Sequence, residues 1–374
     1  MAIVAHSIYT KHYQAILEVI GQIEKGDYDQ AMHSLNALIA NLQAMPETPD
    51  QTQLLFFAEG LHKRLDPEAE EVGNLYLLPN DTGQQIRMFN LMAEKFPLVR
   101  LSQEMINRAC LDWVGMETGQ NPAEITILDI GIGMGQQIVR MLDQALTRKF
   151  PLQAVTVIGI EPAAESLQQA KESLLAWADK HQVELVFQGF QQSVEDLAET
   201  EWLQLTDIIA RAQGKLVINC SFALHHIRPP SLRTALFSRL KQFSPALLTL
   251  LEPYADCVTQ DLSARFTHAW HHYGLVFHAI DQIDIAEEDK NRIKRFFFFP
   301  EIQDVLSEEH ARVEQFETGE MWISRLENAG FETIPIENPS LQIPNCPFAK
   351  ISHHAQYLSV DVKDYPLLSI IAAR

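Results

Sequence analysis

Apolar residues in the first third of the chain recur every three or four positions. Ile16, Leu17, Ile20 and Ile23 fall on one helical face, and Leu35, Leu38, Ile39 and Leu42 repeat the stripe. A polar break at 46–52 separates them from a helix predicted over 53–65. A loop rich in Pro, Asn and Gly at 79–83 leads to helices predicted over 84–96 and 102–114. From residue 124 the period changes. Near-continuous apolar runs at 125–130, 155–160, 184–187, 215–219 and 246–251 read as strands. Helical segments at 136–146, 166–177, 195–205 and 231–243 separate them. That alternation predicts an α/β fold whose parallel sheet is covered on both faces. Residues 254–328 return to a mostly helical pattern, and two closing strands are expected at 332–336 and 367–372.

The first strand ends in Asp129-Ile130-Gly131-Ile132-Gly133-Met134-Gly135 and turns straight into a helix. Glycines at such a turn let backbone approach a ligand, and the helix start offers free N–H groups. A dinucleotide fingerprint needs its third glycine three residues after the second, where this chain has Gln136. The observed spacing suits S-adenosylmethionine (SAM) better, a ligand without a pyrophosphate. With five parallel strands, a helical insertion and two closing strands, the expected architecture is a Rossmann-like sheet of the class I methyltransferase type.

On that frame the cofactor residues expected are Asp129, Gly131, Gly133, Gly135, Glu161, Gln192, Ser193, Val194 and Asn219. Glu161 ends the second strand, where an acid accepts from both ribose hydroxyls. The competing reading is a solvated acid at a strand end. Gln192, Ser193 and Val194 follow the third strand and are placed to bracket an adenine. Ser193 before Glu195-Asp196 would serve equally well as a helix cap. After the fourth strand, Asn219-Cys220-Ser221-Phe222-Ala223-Leu224-His225-His226 faces the transferred methyl group. His225, ahead of His226, is the expected general base, and Glu252 at the end of the fifth strand opens toward the same crevice, where it could orient a substrate or take a proton. Either residue could instead be structural. Phe222, Tyr254 and Arg295 are the expected substrate contacts.

Composition narrows the choice. Among 374 residues, 29 are Lys or Arg and 49 are Asp or Glu, a formal net charge of −20. No basic cluster stands out, which argues against nucleic acid. Four scattered cysteines without a CxxC suggest reduced thiols. Met1 to Thr10 lacks the features of a signal peptide and no apolar run is long enough to span a membrane, so a cytoplasmic protein is expected. His268, His271 and His272 share a helical face, but no fourth ligand is evident and no metal is expected. The run Phe296 to Phe299 reads as core of an insertion helix.

Several segments, in order, resemble the GRAS domain family, and its bacterial members most closely. Ile125-Thr126-Ile127-Leu128-Asp129 is similar to the family's Val-His-Ile-Ile-Asp motif, and Leu224-His225-His226-Ile227 to its Leu-His-x-Leu segment. Glu252 with Phe266, Tyr273 and Phe277 continues the pattern. Arg295-Phe296 through Glu301-Ile302 resembles the Pro-Phe-Tyr-Arg-Glu region. Arg312-Val313-Glu314, then Trp322, Arg325 and Ala329-Gly330-Phe331, resembles the Trp-x-x-Arg-x-x-x-Ala-Gly-Phe stretch. Tyr365 to Ser369 and the terminal Ala373-Arg374 resemble the family's Ser-Ala-Trp ending, with Ala373 in place of the Trp. Residues 61–65 and 97–107 resemble the preceding helical half.

The resemblance implies a helical cap, residues 1–118 with the insertion at 254–328, over a SAM-binding core at 119–374. Because the glycine turn and Glu161 are kept, the first expectation is an enzyme. It would move a methyl group from SAM to a small molecule, releasing S-adenosyl-L-homocysteine (SAH), in a closed crevice where positioning does most of the work. The alternative is the role the resemblance implies for plant relatives: a non-catalytic regulatory module with a retained SAM site, acting through a protein partner or as a homodimer.

Overall fold

The apolar runs beyond residue 123 become the strands of one sheet because both of their faces are covered. The computed structural model describes residues 2–66, 96–118, 123–212, 214–336 and 346–374. The chain divides into two units, Met1–Lys95 with Ala255–Phe316, and Phe96–Tyr254 with Glu317–Arg374.

The first unit is helical: α1 (Ala2–Glu24), α2 (Tyr28–Gln43) and α3 (Pro49–Leu65). Of the stripes read from the sequence, Ile16, Ile20 and Ile23 on α1 and Leu35, Leu38 and Leu42 on α2 are buried, while Leu17 and Ile39 are half-buried at their edges. Helix α3 starts four residues earlier than its apolar pattern suggests. Thr48 accepts from the Gln51 N–H at 3.2 Å and Pro49 stands in the first turn, so capping extends the helix into the polar break. The helix predicted over 84–96 and the loop at 79–83 lie outside the described residues, except for Phe96.

In the second unit, α4 (Pro97–Thr118) precedes β1 (Ala123–Ile130), α5 (Gln136–Thr147), β2 (Leu152–Ile160), α6 (Ala164–His181) and β3 (Glu184–Phe190). Then come α7 (Glu199–Arg211), β4 (Lys215–Ser221), α8 (Ser231–Lys241) and β5 (Leu247–Pro253). The helix expected from residue 195 is split. Val194–Asp196 forms a single 3₁₀ turn, and α7 begins only at Glu199.

The chain then supplies the rest of the first unit: α9 (Leu262–Asp281), α10 (Glu287–Ile293), a π-helical turn (Lys294–Phe298) and α11 (Phe299–Leu306). Phe57 packs there edge to face on Phe266, Trp270 and Tyr273, with ring centroids 4.8–6.3 Å apart. The Phe296 to Phe299 run is not buried core as expected. The π turn interrupts the helical repeat, leaving Phe296 42% exposed and the other three half-buried.

The second unit closes with α12 (Gly319–Asn328), β6 (Thr333–Ile334), β7 (Ala349–His353), β8 (Leu358–Val362) and β9 (Tyr365–Ala373). The sheet runs β3-β2-β1-β4-β5-β9-β8-β7, with β6 also on β9. Strands β1 to β5 pair in parallel and β9 returns antiparallel to β5, so the sheet is mixed. Two closing strands were expected, and four form among the described residues. The hairpin β8–β9 turns at Lys363 and Asp364, both with positive φ (50° and 66°), which replace the usual Asn-Gly signal. Helix α4, expected in the cap, groups with the sheet. Its buried face of Leu98, Leu101, Met105, Ile106, Cys110 and Leu111 packs on α5 and β5. On the other sheet face, α7, α8 and α12 contribute Trp202, Leu205, Phe237, Leu240, Trp322 and Leu326 to one apolar core. No helix among the described residues is long and apolar enough to cross a membrane.

Candidate functional site at the carboxyl ends of the strands

Register brings the predicted residues together. Asp129 lies beside Gly159 on β2 and Asn219 on β4, and Asn219 beside Thr249 on β5. The parallel strands therefore deliver Asp129, Asn219 and, at their ends, Glu161 and Glu252 to one edge of the sheet.

The glycine turn has the expected backbone. Gly131, Gly133 and Gly135 have φ of +79°, +52° and +75°, a region that side chains disfavour. A Cβ on Gly131 would stand 2.6 Å from the Ala223 Cβ, and one on Gly135 would stand 3.1 Å from Ala170. At Gly133 a Cβ would meet nothing within 4 Å, so the tip of the turn is open.

The amides of that turn, however, are bonded within the chain. Gly131 N–H donates to the Ile160 carbonyl (2.9 Å) and Gly135 N–H to that of Ile132 (2.9 Å). Gly133 N–H donates to Glu161 Oε2 at 3.0 Å, while Glu161 Oε1 accepts from Ala163 N–H at 3.0 Å. Glu161 thus points at the turn and grips it. Burial raises its carboxyl above the usual range, and the two amide donors oppose that rise.

Asp129 belongs to a buried polar network. Asn219 Nδ2 donates to Asp129 Oδ1 at 2.7 Å, and Asn219 Oδ1 accepts from Gln137 (3.2 Å), Ser221 (3.2 Å) and Thr249 (3.1 Å). Gln137 in turn bonds Asn107 on α4 at 3.3 Å. Burial pushes the Asp129 carboxyl up to about 7, with the Glu161 charge adding and the Asn219 donor opposing. Sequence reading found Asp129 and Asn219 but not Asn107, Gln137 or Thr249. Their only signal was a polar side chain at an inward position of an apolar helix or strand.

Of the expected catalytic pair, Glu252 braces the loop that carries His225. Glu252 is fully buried. Its Oε1 accepts from the Ala223 and Leu224 amides (3.1 and 2.8 Å), and its Oε2 lies 2.5 Å from His225 Nδ1. Both oxygens are committed to the loop after β4. Beneath that loop, Arg233, fully buried, donates to the His225 carbonyl (2.6 Å), the Ile227 carbonyl (3.2 Å) and Glu317 Oε1 (2.7 Å). Arg325 grips both oxygens of Glu317 as well (2.5 and 2.6 Å). Reading the sequence for chemistry missed Arg233 and Glu317.

The remaining predicted contacts have partners of their own. Val194 is buried in the core, and Gln192 Nε2 donates to Glu201 at 2.9 Å. Ser193 precedes the 3₁₀ turn without capping it through its side chain. Phe222 holds φ +56° and donates its amide to the Leu251 carbonyl at 2.8 Å. The Tyr254 hydroxyl donates to Glu320 at 3.0 Å, and its ring stacks on Tyr357. Arg295 belongs to the helical unit, where its guanidinium lies over Phe56 and Phe299. His268 Nδ1 lies 2.7 Å from the Asp256 carbonyl oxygen, an ordinary helix-face contact.

The residues fit a nucleoside in part. The turn is open at Gly133 and an acid stands at the end of β2. A ligand seeking the Gly133 amide must displace Glu161.

The GRAS domain family matches residues 12–354. The chain is similar to DELLA protein 2 of Medicago truncatula, 25% identical over 290 residues, which span 75% of this chain and 50% of that protein. It is similar to Scarecrow-like protein 5 of Arabidopsis thaliana, 26% identical over 314 residues, 80% of this chain and 51% of that protein. It thus spans about half the length of these relatives. The solved structure of SCL7 from Oryza sativa shares the fold, with a TM-score of 0.74 at 22% identity over 91% of this chain and 94% of that one. These matches overturn the expectation of an enzyme. The relatives are DELLA and Scarecrow-like proteins, the plant group whose resemblance implied regulation without catalysis.

Proposed function

The chain belongs to the GRAS domain family, and from that premise we propose that it is a non-catalytic regulatory module that works through a protein partner. The observation that carries this reading is the commitment of Glu252. A fully buried carboxylate with both oxygens bonded to its own loop and to His225 is a brace, and neither oxygen is left to meet a substrate. The sheet edge is thereby rigid, which suits a surface that presents a fixed shape to a partner.

A SAM-type nucleoside is the ligand proposed for the glycine turn, as a regulatory ligand. Glu161 would exchange its bond to Gly133 for the sugar hydroxyls, and the freed Gly133 amide would face the ligand. Binding would change the turn and Glu161 with no chemical step.

Calorimetry with SAM and with SAH, paired with a methyl-label assay, tests both parts. The expected result is binding of one or both ligands, abolished in Gly133→Asp, with no label passed from SAM to protein or small molecules of a cell extract. Label transfer dependent on His225 would overturn the non-catalytic reading. Absence of binding by both ligands would remove the nucleoside and leave the partner-binding module.

A further inference from the structure

Three arginines from separate segments of the helical unit converge on the C-terminal end of α11. Arg64 Nη1 donates to the Leu306 and Ser307 carbonyls (3.1 and 2.5 Å). Arg265 Nη2 reaches the same Ser307 carbonyl at 3.4 Å, and its Nη1 donates to the Thr259 carbonyl at 2.7 Å. Arg312 Nη1 donates to the Cys257 carbonyl at 2.5 Å. The ordinary reading is that cations cap a helix C-terminus. It accounts for Arg64 and Arg265 at Ser307, but not for how the three charges are balanced.

The Arg265 and Arg312 side chains are 2% and 0% exposed, and that of Arg64 is 12% exposed. Their carboxylate partners on the outer side sit on the turn after α11 and are half in water. Glu308 is 52% exposed and lies 2.9 Å from Arg64. Glu309, 48% exposed, lies 2.5 Å from Arg312 but 3.7 Å from Arg265, beyond hydrogen-bonding reach. The buried Nε–H groups of Arg64 and Arg265 have no acceptor. On the inner side lie Asp304 and Glu314, but Asp304 is occupied by the amides of Val313 and Glu314 at 2.6–3.0 Å. Burial, with repulsion from Arg312 and Arg64 adding to it, brings Arg265 down to about 10. Buried guanidinium N–H groups without an acceptor, as at Arg64 and Arg265, are costly, and a compact oxyanion offers more acceptor positions than two singly bonded carboxylates.

We propose that Arg64, Arg265 and Arg312 form a binding site for a phosphate-type dianion, closed in this structure by the Glu308–Glu309 turn acting as an internal substitute for the ligand. Inorganic phosphate and a phosphomonoester share the chemistry. The ligand enters when the turn swings out, exchanging two half-solvated carboxylates for one dianion.

Titration calorimetry with sodium phosphate, at constant ionic strength balanced by chloride, tests the site on the full chain. Glu308→Gln with Glu309→Gln opens it, and phosphate affinity should rise about tenfold or more over the unaltered protein. Glu287→Gln with Glu288→Gln removes the same charge from exposed positions of the same unit and should leave phosphate affinity unchanged. Equal affinity in both double variants, or no binding by the opened one, would overturn the proposal. Methyl phosphate binding as well as phosphate supports a phosphomonoester source, and phosphate alone supports the free ion. Should the opened variant not fold, amide exchange at Ser307–Ala311 of the unaltered protein decides: faster exchange in phosphate than in chloride supports the site, and identical exchange overturns it.

Discussion

Glu252 holds His225 by its Nδ1 at 2.5 Å from one carboxylate oxygen while the other oxygen takes the amides of Ala223 and Leu224. A loop that sequence reading assigned to chemistry is therefore built around a buried carboxyl group. Removing that group leaves three others without their partner. Glu252→Ala should lose about 3–5 kcal/mol, as expected when several buried polar groups lose one shared partner. Glu252→Gln keeps an acceptor for the amides and should lose about half as much. Urea denaturation checks both, and a loss under about 1 kcal/mol in Glu252→Ala would show that the brace does not hold the loop.

The glycine turn separates backbone strain from crowding. Gly133→Ala places a side chain at φ +52° but in open space, so it should cost about 1 kcal/mol. Gly135→Ala adds contact with Ala170 at 3.1 Å to a φ of +75°, and should cost about 2–3 kcal/mol. Thermal melting of the two variants gives the order. The reverse order would mean that the open tip is filled by something the present contacts omit.

Much of this fold was legible because its signals are local. The strands β1 to β5 are apolar runs, and the turn from Asp129 to Gly135 carries its own backbone requirements. The resemblance to GRAS proteins was equally plain, since its motifs follow one another along the chain. What could not be read was set by distant partners. Glu161 was expected to face a sugar, but the Gly133 amide 28 residues away in sequence is its partner here. Arg233 and Glu317 are 84 residues apart, and nothing at either position marks the pair. Helix α4 looked like its helical neighbours because periodicity reports a buried face and not what covers it.

The pair of arginines on Glu317 should act unequally. Arg233 has a fully buried side chain, whereas that of Arg325 is 20% exposed. Arg233→Gln should destabilise by about 3–5 kcal/mol, because it strips one partner from a buried carboxylate and leaves the His225 carbonyl without its donor. Arg325→Gln should lose roughly 1–2 kcal/mol, since water can reach the vacated side. A double-mutant cycle with Glu317→Gln should show coupling for both pairs. Additive effects would mean that neither arginine acts through its pairing with Glu317, leaving Arg233 its packing on Trp322.

Asp129 gives the protein a pH dependence of definite sign. Its carboxyl stands at about 7 in the folded chain against an ordinary 3.8, chiefly through burial. A raised carboxyl means that the folded state holds the proton more tightly than the unfolded one. The stabilisation is complete below about pH 4 and is lost as pH rises through about 7. Three pH units of separation correspond to about 4 kcal/mol. Asp304, also raised to about 7 by burial with the Glu314 charge adding, contributes in the same direction, so the comparison must be a difference between proteins. Asp129→Asn keeps the acceptor for Asn219 Nδ2 and cannot ionise. The stability of Asp129→Asn minus that of the unaltered chain should rise between pH 4 and pH 8 by up to about 4 kcal/mol, then level off. Urea midpoints across that range read it directly. A flat difference would mean that Asp129 is ionised in the folded protein throughout, and that the network around Asn219 holds a full negative charge beneath the glycine turn.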